Sequence, residues 1–68
     1  MNVAIVTVGD ELLVGQTVNT NAAWLAERLT DRGCTVDRIT TLPDRIEAIA
    51  RVVNEYHADY DAVIVTGG

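Results

Sequence analysis

Hydrophobic and polar positions alternate between two periods along this chain, and the alternation defines five elements. Val3-Ala4-Ile5-Val6-Thr7-Val8 is a continuous apolar, β-branched run that stops on Gly9, the pattern of a strand covered on both faces. Ala22, Leu25, Ala26 and Leu29 then recur at helical spacing. Asn19-Thr20-Asn21 offers capping side chains before them and Gly33 a terminator after them, which predicts a helix from about Asn21 to Arg32. Cys34 to Leu42 alternates Val36 and Ile39 with threonines, Asp37 and Arg38, a more polar strand suited to a sheet edge. Pro43-Asp44 opens a second helix, with Asp44 and Glu47 spaced as a capping box and Ile46, Ile49, Ala50 and Val53 on one face. That pattern fades near His57-Ala58-Asp59, and Ala62-Val63-Ile64-Val65-Thr66 is a third, apolar strand running into Gly67-Gly68.

Strand, helix, strand, helix, strand with crossovers of this length is an α/β chain with a parallel sheet. The first and third runs are the apolar ones, so the first strand belongs in the centre, in the order 2-1-3. Two right-handed crossovers in that order place one helix on each face. The crevice of such a sheet lies at the carboxyl ends of the first and third strands, where neighbouring connections leave in opposite directions. Gly9-Asp10-Glu11 and Thr66-Gly67-Gly68 fall there, and both helices begin at the same edge, bringing Asn19, Asn21 and Asp44 with them. Glycines allow a ligand close to the backbone, and helix N-termini favour anions.

Composition narrows the chemistry. The chain has 68 residues and is 49% hydrophobic, within the globular range. A domain of this size buries roughly 60% of its unfolded surface. Without a disulfide it is expected to be part of a larger domain or to self-associate, and a homo-oligomer is the partner expected. Ten acids against five arginines, with no lysine, give a net charge of −5. Such a balance carries no basic stripe for nucleic acid or an anionic membrane and is compatible with either a high-salt proteome or an ordinary acidic protein. The lone Cys34 has no partner for a disulfide and no neighbouring cysteine or histidine for a metal; it reads as a small hydrophobe. No apolar run approaches the ~18 residues of a membrane span, and no basic leader precedes the first strand, so a cytoplasmic location is expected.

The spacing of Gly9 and Gly15, with Gln16 where a lysine is required, does not fit a phosphate-binding P-loop or a dinucleotide fingerprint. Adjacent carboxylates at Asp10 and Glu11 would repel a bare phosphate. They call either for a bridging divalent cation, Mg²⁺ being the best match, or for ligand N–H and hydroxyl donors. The plain structural alternatives are a turn-stabilising aspartate beside a solvated acid, and a helix cap at Asp44. Trp24 lies off the helix stripe, and His57, Tyr56 and Tyr60 are expected to be satisfied surface or boundary residues.

Gly9-Asp10-Glu11-Leu12-Leu13-x-Gly15, Asn19-Thr20-Asn21-Ala22-Ala23-Trp24-Leu25-Ala26, Pro43-Asp44 and the strand ending Thr66-Gly67-Gly68 together resemble the molybdopterin-binding (MoCF) domain family, in particular its CinA-like branch. The resemblance covers the whole chain. It implies a three-layer α/β/α domain of which these residues are the N-terminal portion, binding a molybdopterin or nucleotide ligand at the strand ends. By motif match it places Glu11 and Asp44 as catalytic acids. Gly9, Asp10, Asn19, Asn21, Thr66, Gly67 and Gly68 become ligand contacts, with Asp10 and Glu11 the Mg²⁺ ligands. The activities implied are metal-dependent ADP-ribose pyrophosphatase chemistry, adenylyl transfer to molybdopterin, or binding and oligomerisation without catalysis. Two departures are visible. Arg45 stands where a second acid often follows Asp44, and the Gly-Pro-Thr and Asp-Asp residues that usually follow the glycine pair lie beyond Gly68. A chain lacking them is expected to be inactive by itself.

Overall fold

The computed structural model describes residues 1–10 and 20–67. Strand β1 spans Asn2–Val8, helix α1 Thr20–Asp31, strand β2 Thr35–Leu42, helix α2 Ile46–Asp59 and strand β3 Ala62–Gly67. The strands form one parallel sheet in the order β2-β1-β3, with β2, the strand interrupted by Asp37 and Arg38, at an edge as its polarity predicts. The parallel α/β architecture and its strand order are therefore those expected.

Burial follows the pleat. Val3, Ala4, Ile5 and Val6 are at most 1% exposed, so both faces of β1 are covered. Its even positions Ala4, Val6 and Val8 pack with Tyr56 of α2, joined by Leu42, Ile49, Val52, Tyr60 and Val63. Its odd positions Val3, Ile5 and Thr7 point to the opposite face, as alternation demands. There α1 lies against β1 and β2 and buries Ala22. Burying a side chain of Val or Ile size contributes about 1.5–3 kcal/mol, so β1 is the main source of cohesion on both sides of the sheet.

Three local predictions need correction. The buried face of α2 is Ile49, Val52 and Tyr56, not a stripe beginning at Ile46, which is 83% exposed. Tyr56 is 8% exposed and belongs to the core. It satisfies its hydroxyl against Thr40 Oγ1 at 2.9 Å and accepts a hydrogen bond from Arg38 Nη1 at 3.3 Å. That polar reach is why an apolar-periodicity reading passes over it. Helix α2 also continues through His57, Ala58 and Asp59, where the pattern fades. Its exposed polar residues there cost no burial, and the Tyr60 N–H closes the end on the Tyr56 carbonyl at 3.0 Å.

Helix α1 ends as its glycine predicts. Gly33 has φ 88°, a conformation that side-chain-bearing residues rarely adopt. The Cys34 N–H donates to the Leu29 carbonyl and the Gly33 N–H to the Thr30 carbonyl, both at 3.0 Å, the paired bonds of a Schellman motif. Cys34 is half-buried and unpaired. The bulge in β2 falls between Val36 and Arg38, leaving Asp37 without a β1 partner, a device that suits an edge strand.

A candidate ligand site at the carboxyl ends of the strands

The register brings three turns to one edge. Val8 pairs with Leu42 on one side and with Gly67 on the other. Beyond these pairs the chain continues as Gly9-Asp10, Pro43-Asp44 and, after Thr66-Gly67, the end of the described residues. The β1–β2 ladder runs past the strands: the Gly9 N–H donates to the Leu42 carbonyl at 3.0 Å. One step further the Asp44 N–H donates to Asp10 Oδ1 at 3.3 Å. A side-chain oxygen there takes the place of a backbone acceptor, so the turn after β1 and the entry to α2 are joined at the crevice.

Asp44 is not the cap of α2. The N-cap is Arg45, in extended conformation and with no side-chain capping bond. The first helical bond runs from the Ile49 N–H to the Arg45 carbonyl at 3.1 Å. The reason is a tight turn one residue earlier, in which the Arg45 N–H donates to the Pro43 carbonyl at 2.8 Å and Asp44 sits at the apex. The capping-box expectation for Asp44 with Glu47 therefore fails. Glu47 remains in the first turn, where an acid interacts well with the positive helix end. Asp44 is exposed at the crevice, and none of the bonds among the described residues uses its carboxylate.

Gly67 is exposed. A Cβ built on it would lie 3.8 Å from Val8 Cβ, an ordinary contact, and its backbone is not left-handed. Neither space inside the fold nor conformation demands glycine at this position. Thr66 is half-buried beside it, opposite Thr7. Thr7 is itself 2% exposed, with Oγ1 at 3.0 Å from Thr41 Oγ1. Asn21 is exposed in the first turn of α1, at the same edge by topology. The structure thus collects Gly9, Asp10, Asp44, Thr66 and Gly67 and places Asn21 at the same edge, while Glu11, Asn19, Gly68 and the apolar Leu12, Leu13 and Val14 lie outside the described residues.

Among the described residues no group of three or more His, Cys, Asp or Glu side chains is placed to hold a metal ion. Mg²⁺ is commonly held by one or two carboxylates, with waters and substrate phosphates completing its six oxygens; Asp10 and Asp44 are the carboxylates that the described residues bring to this edge. No helix of the described residues is long and apolar enough to cross a membrane.

With this geometry in view, comparison with known proteins is decisive. Residues 4–68 match the family model described as "Probable molybdopterin binding domain". The chain belongs to this molybdopterin-binding domain family. Similar proteins include one from Aeropyrum pernix, 53% identical over 64 residues, covering 94% of this chain and 24% of the relative. A CinA-like protein of Citrifermentans bemidjiense is 53% identical over 68 residues, covering 100% of this chain and 16% of its own length. The crystal structure of CinA from Thermoplasma acidophilum, described as of unknown function, superposes with a TM-score of 0.89 at 36% identity, over 94% of this chain and 38% of that one. The chain thus spans between 16% and 26% of the length of such curated relatives. It is a molybdopterin-binding-type domain by family and a CinA-like one by its relatives.

Two features of the site escape sequence reading. One is the Asp10–Asp44 link, and the other is the displacement of the cap to Arg45. The first was available from register counting: if Val8 and Leu42 are level, so are Asp10 and Asp44. The second depends on the turn conformation at Asp44, which residue types do not specify.

Proposed function

We propose that this chain contributes the Asp10/Asp44 wall of a phosphate-ester binding site, in a CinA-like domain that acts on a nucleotide such as ADP-ribose. The observation that carries the proposal is the Asp10–Asp44 junction. It ties the exposed Asp44, just beyond the carboxyl end of β2, to the turn after the central strand, at the same sheet edge as a glycine the fold does not require. Gly67, exposed and without a side chain at the end of β3, lets a phosphate approach the backbone closely. The Asp44 carboxylate is an acceptor for a ribose hydroxyl or for a water. Hydrolysis of ADP-ribose at the pyrophosphate would add that water to phosphorus, break the bridging P–O bond and leave AMP and ribose 5-phosphate. Glu11, adjacent in sequence to Asp10, is the further acid proposed to act there, and Mg²⁺ is the ion proposed to accompany it.

Adenylyl transfer to molybdopterin is the competing reaction, drawn from the same family membership. A binding or oligomerisation module without catalysis is the remaining alternative. Calorimetric titration of the chain with ADP-ribose, AMP and molybdopterin, each with Mg²⁺ and with chelator, separates binding from no binding. Product analysis separates the two reactions: AMP and ribose 5-phosphate from ADP-ribose mark hydrolysis, whereas adenylyl-molybdopterin and pyrophosphate, formed when ATP is added to molybdopterin as the adenylyl donor, mark adenylyl transfer. Saturable heat with ADP-ribose or AMP supports the proposal; no heat with any of the three overturns it.

A further inference from the structure

We infer that Asp10 serves the crevice as a positioning residue, through the hydrogen-bond acceptor at Oδ1 rather than through its negative charge. This deepens the ligand-site reading above and rests on it for its functional consequence, though not for its structural one.

The geometry is that of an extended ladder. Backbone pairing between β1 and β2 reaches its last bond at Gly9 N–H to Leu42 carbonyl, 3.0 Å. In a parallel sheet the next donor on the β2 side would seek a backbone carbonyl of the β1 strand. Here that donor is the Asp44 N–H, and it finds Asp10 Oδ1 at 3.3 Å. The same segment folds back so that the Arg45 N–H reaches the Pro43 carbonyl at 2.8 Å, and the following carbonyl, of Arg45, starts α2. Asp44 is therefore held by its own N–H to the turn after β1, at the apex of a tight turn. Its carboxylate is left unused by the helix that follows.

Nothing in this role needs a charge on Asp10. Asparagine offers the same Oδ1 acceptor in the same place, with an amide nitrogen replacing Oδ2. Alanine offers none and releases the Asp44 turn. A residue acting as a cation ligand or as an electrostatic partner would behave in the reverse way, since asparagine removes the charge that matters. Asp10 thus fixes the turn.

The test uses Asp10→Asn and Asp10→Ala in the whole chain, with two readouts. Amide hydrogen exchange at Asp44, followed by NMR, reads the bond itself. It should be as slow in Asp10→Asn as in the parent, and about fivefold faster in Asp10→Ala, the size expected for losing one exposed hydrogen bond. Calorimetric titration with ADP-ribose reads the consequence: affinity retained in Asp10→Asn and reduced several-fold in Asp10→Ala, with both variants folded by circular dichroism. Equal Asp44 exchange in Asp10→Ala and the parent overturns the inference. So does an Asp10→Asn variant that keeps slow exchange yet binds as weakly as Asp10→Ala. A parent chain that binds no ADP-ribose removes the ligand reading, and the positioning role is then decided by exchange alone.

Discussion

Replacing Tyr56 by phenylalanine, and Thr40 by valine, tests how α2 is anchored over the sheet and hence how the Pro43–Asp44 turn is held. Tyr56 is 8% exposed and packs on Ala4, Val6 and Val8. Its ring meets that of Tyr60 edge-on, at 5.6 Å between centroids and 67° between planes. Phenylalanine keeps this packing and removes only the hydroxyl, which lies 2.9 Å from Thr40 Oγ1. The loss strands a half-buried threonine hydroxyl, so a cost of about 1–1.5 kcal/mol is expected. Thr40→Val removes the same bond from the other side and leaves the phenol only the longer bond from Arg38 Nη1 at 3.3 Å, so it should cost a similar amount or less. The double variant leaves neither group stranded, so its cost should fall short of the sum by about 0.5–1 kcal/mol. Native domains are stable by about 0.05–0.15 kcal/mol per residue, so a chain this short feels each change. Roughly 4–8 °C in Tm accompanies each kcal/mol in domains of 60–100 residues. Urea unfolding followed by far-ultraviolet circular dichroism, with an unchanged m-value, is the assay. Strict additivity of the two substitutions, or a Tyr56→Phe chain as stable as the parent, would refute the anchoring role.

Other consequences follow from the same structure. The Thr40 hydroxyl first, and the Arg38 guanidinium second, stabilise the Tyr56 phenolate and hold its pKa below the ordinary value. The unfolded chain therefore binds the extra proton between that lowered value and the ordinary phenol value near ~10. This group adds stability as pH rises through the window, and the addition is lost as pH falls back through the folded value. Ultraviolet titration of the phenolate should show a tyrosine midpoint below the ordinary one that moves up in Thr40→Val, and an unmoved midpoint would count against the assignment. Gly33→Ala should cost about 1 kcal/mol or more in urea unfolding, because φ 88° is left-handed. Gly67→Ala should leave unfolding unchanged or slightly improved, since the new Cβ meets only Val8 at 3.8 Å. The same change should weaken ADP-ribose binding, measured by calorimetry. Equal affinity in Gly67→Ala would take that glycine out of the site.

Much of the fold was legible because one physical variable, apolarity per strand, decided it. Val3 to Val8 is apolar apart from Thr7 and Thr35 to Leu42 is interrupted by Asp37 and Arg38, which points to the first as central and the second as outer. The carboxyl-edge location of the site followed from that order by topology alone. What was not legible depended on conformation. Asp44 has the identity and spacing of a helix cap, yet the tight turn over Pro43 to Arg45 moves the cap on by one residue. Tyr56 has a polar tip, so periodicity assigned it to a boundary, although Thr40 and Arg38 satisfy that tip at the sheet and allow the ring into the core. β3 shows the same limit from the other side: its apolar run reads as buried, but it lies at the outer position of the described sheet and Val65 is 45% exposed.

The most direct experiment on the crevice is an amide chemical-shift map of the whole chain during titration with ADP-ribose. Binding at the carboxyl ends of the strands should move the signals of Gly9, Asp10, Asp44, Thr66 and Gly67 together, with a common midpoint. Shifts confined to the exposed α1 face around Trp24, Arg28 and Arg32, or to the His57 end of α2, would place the ligand elsewhere and overturn the assignment of this edge as the site.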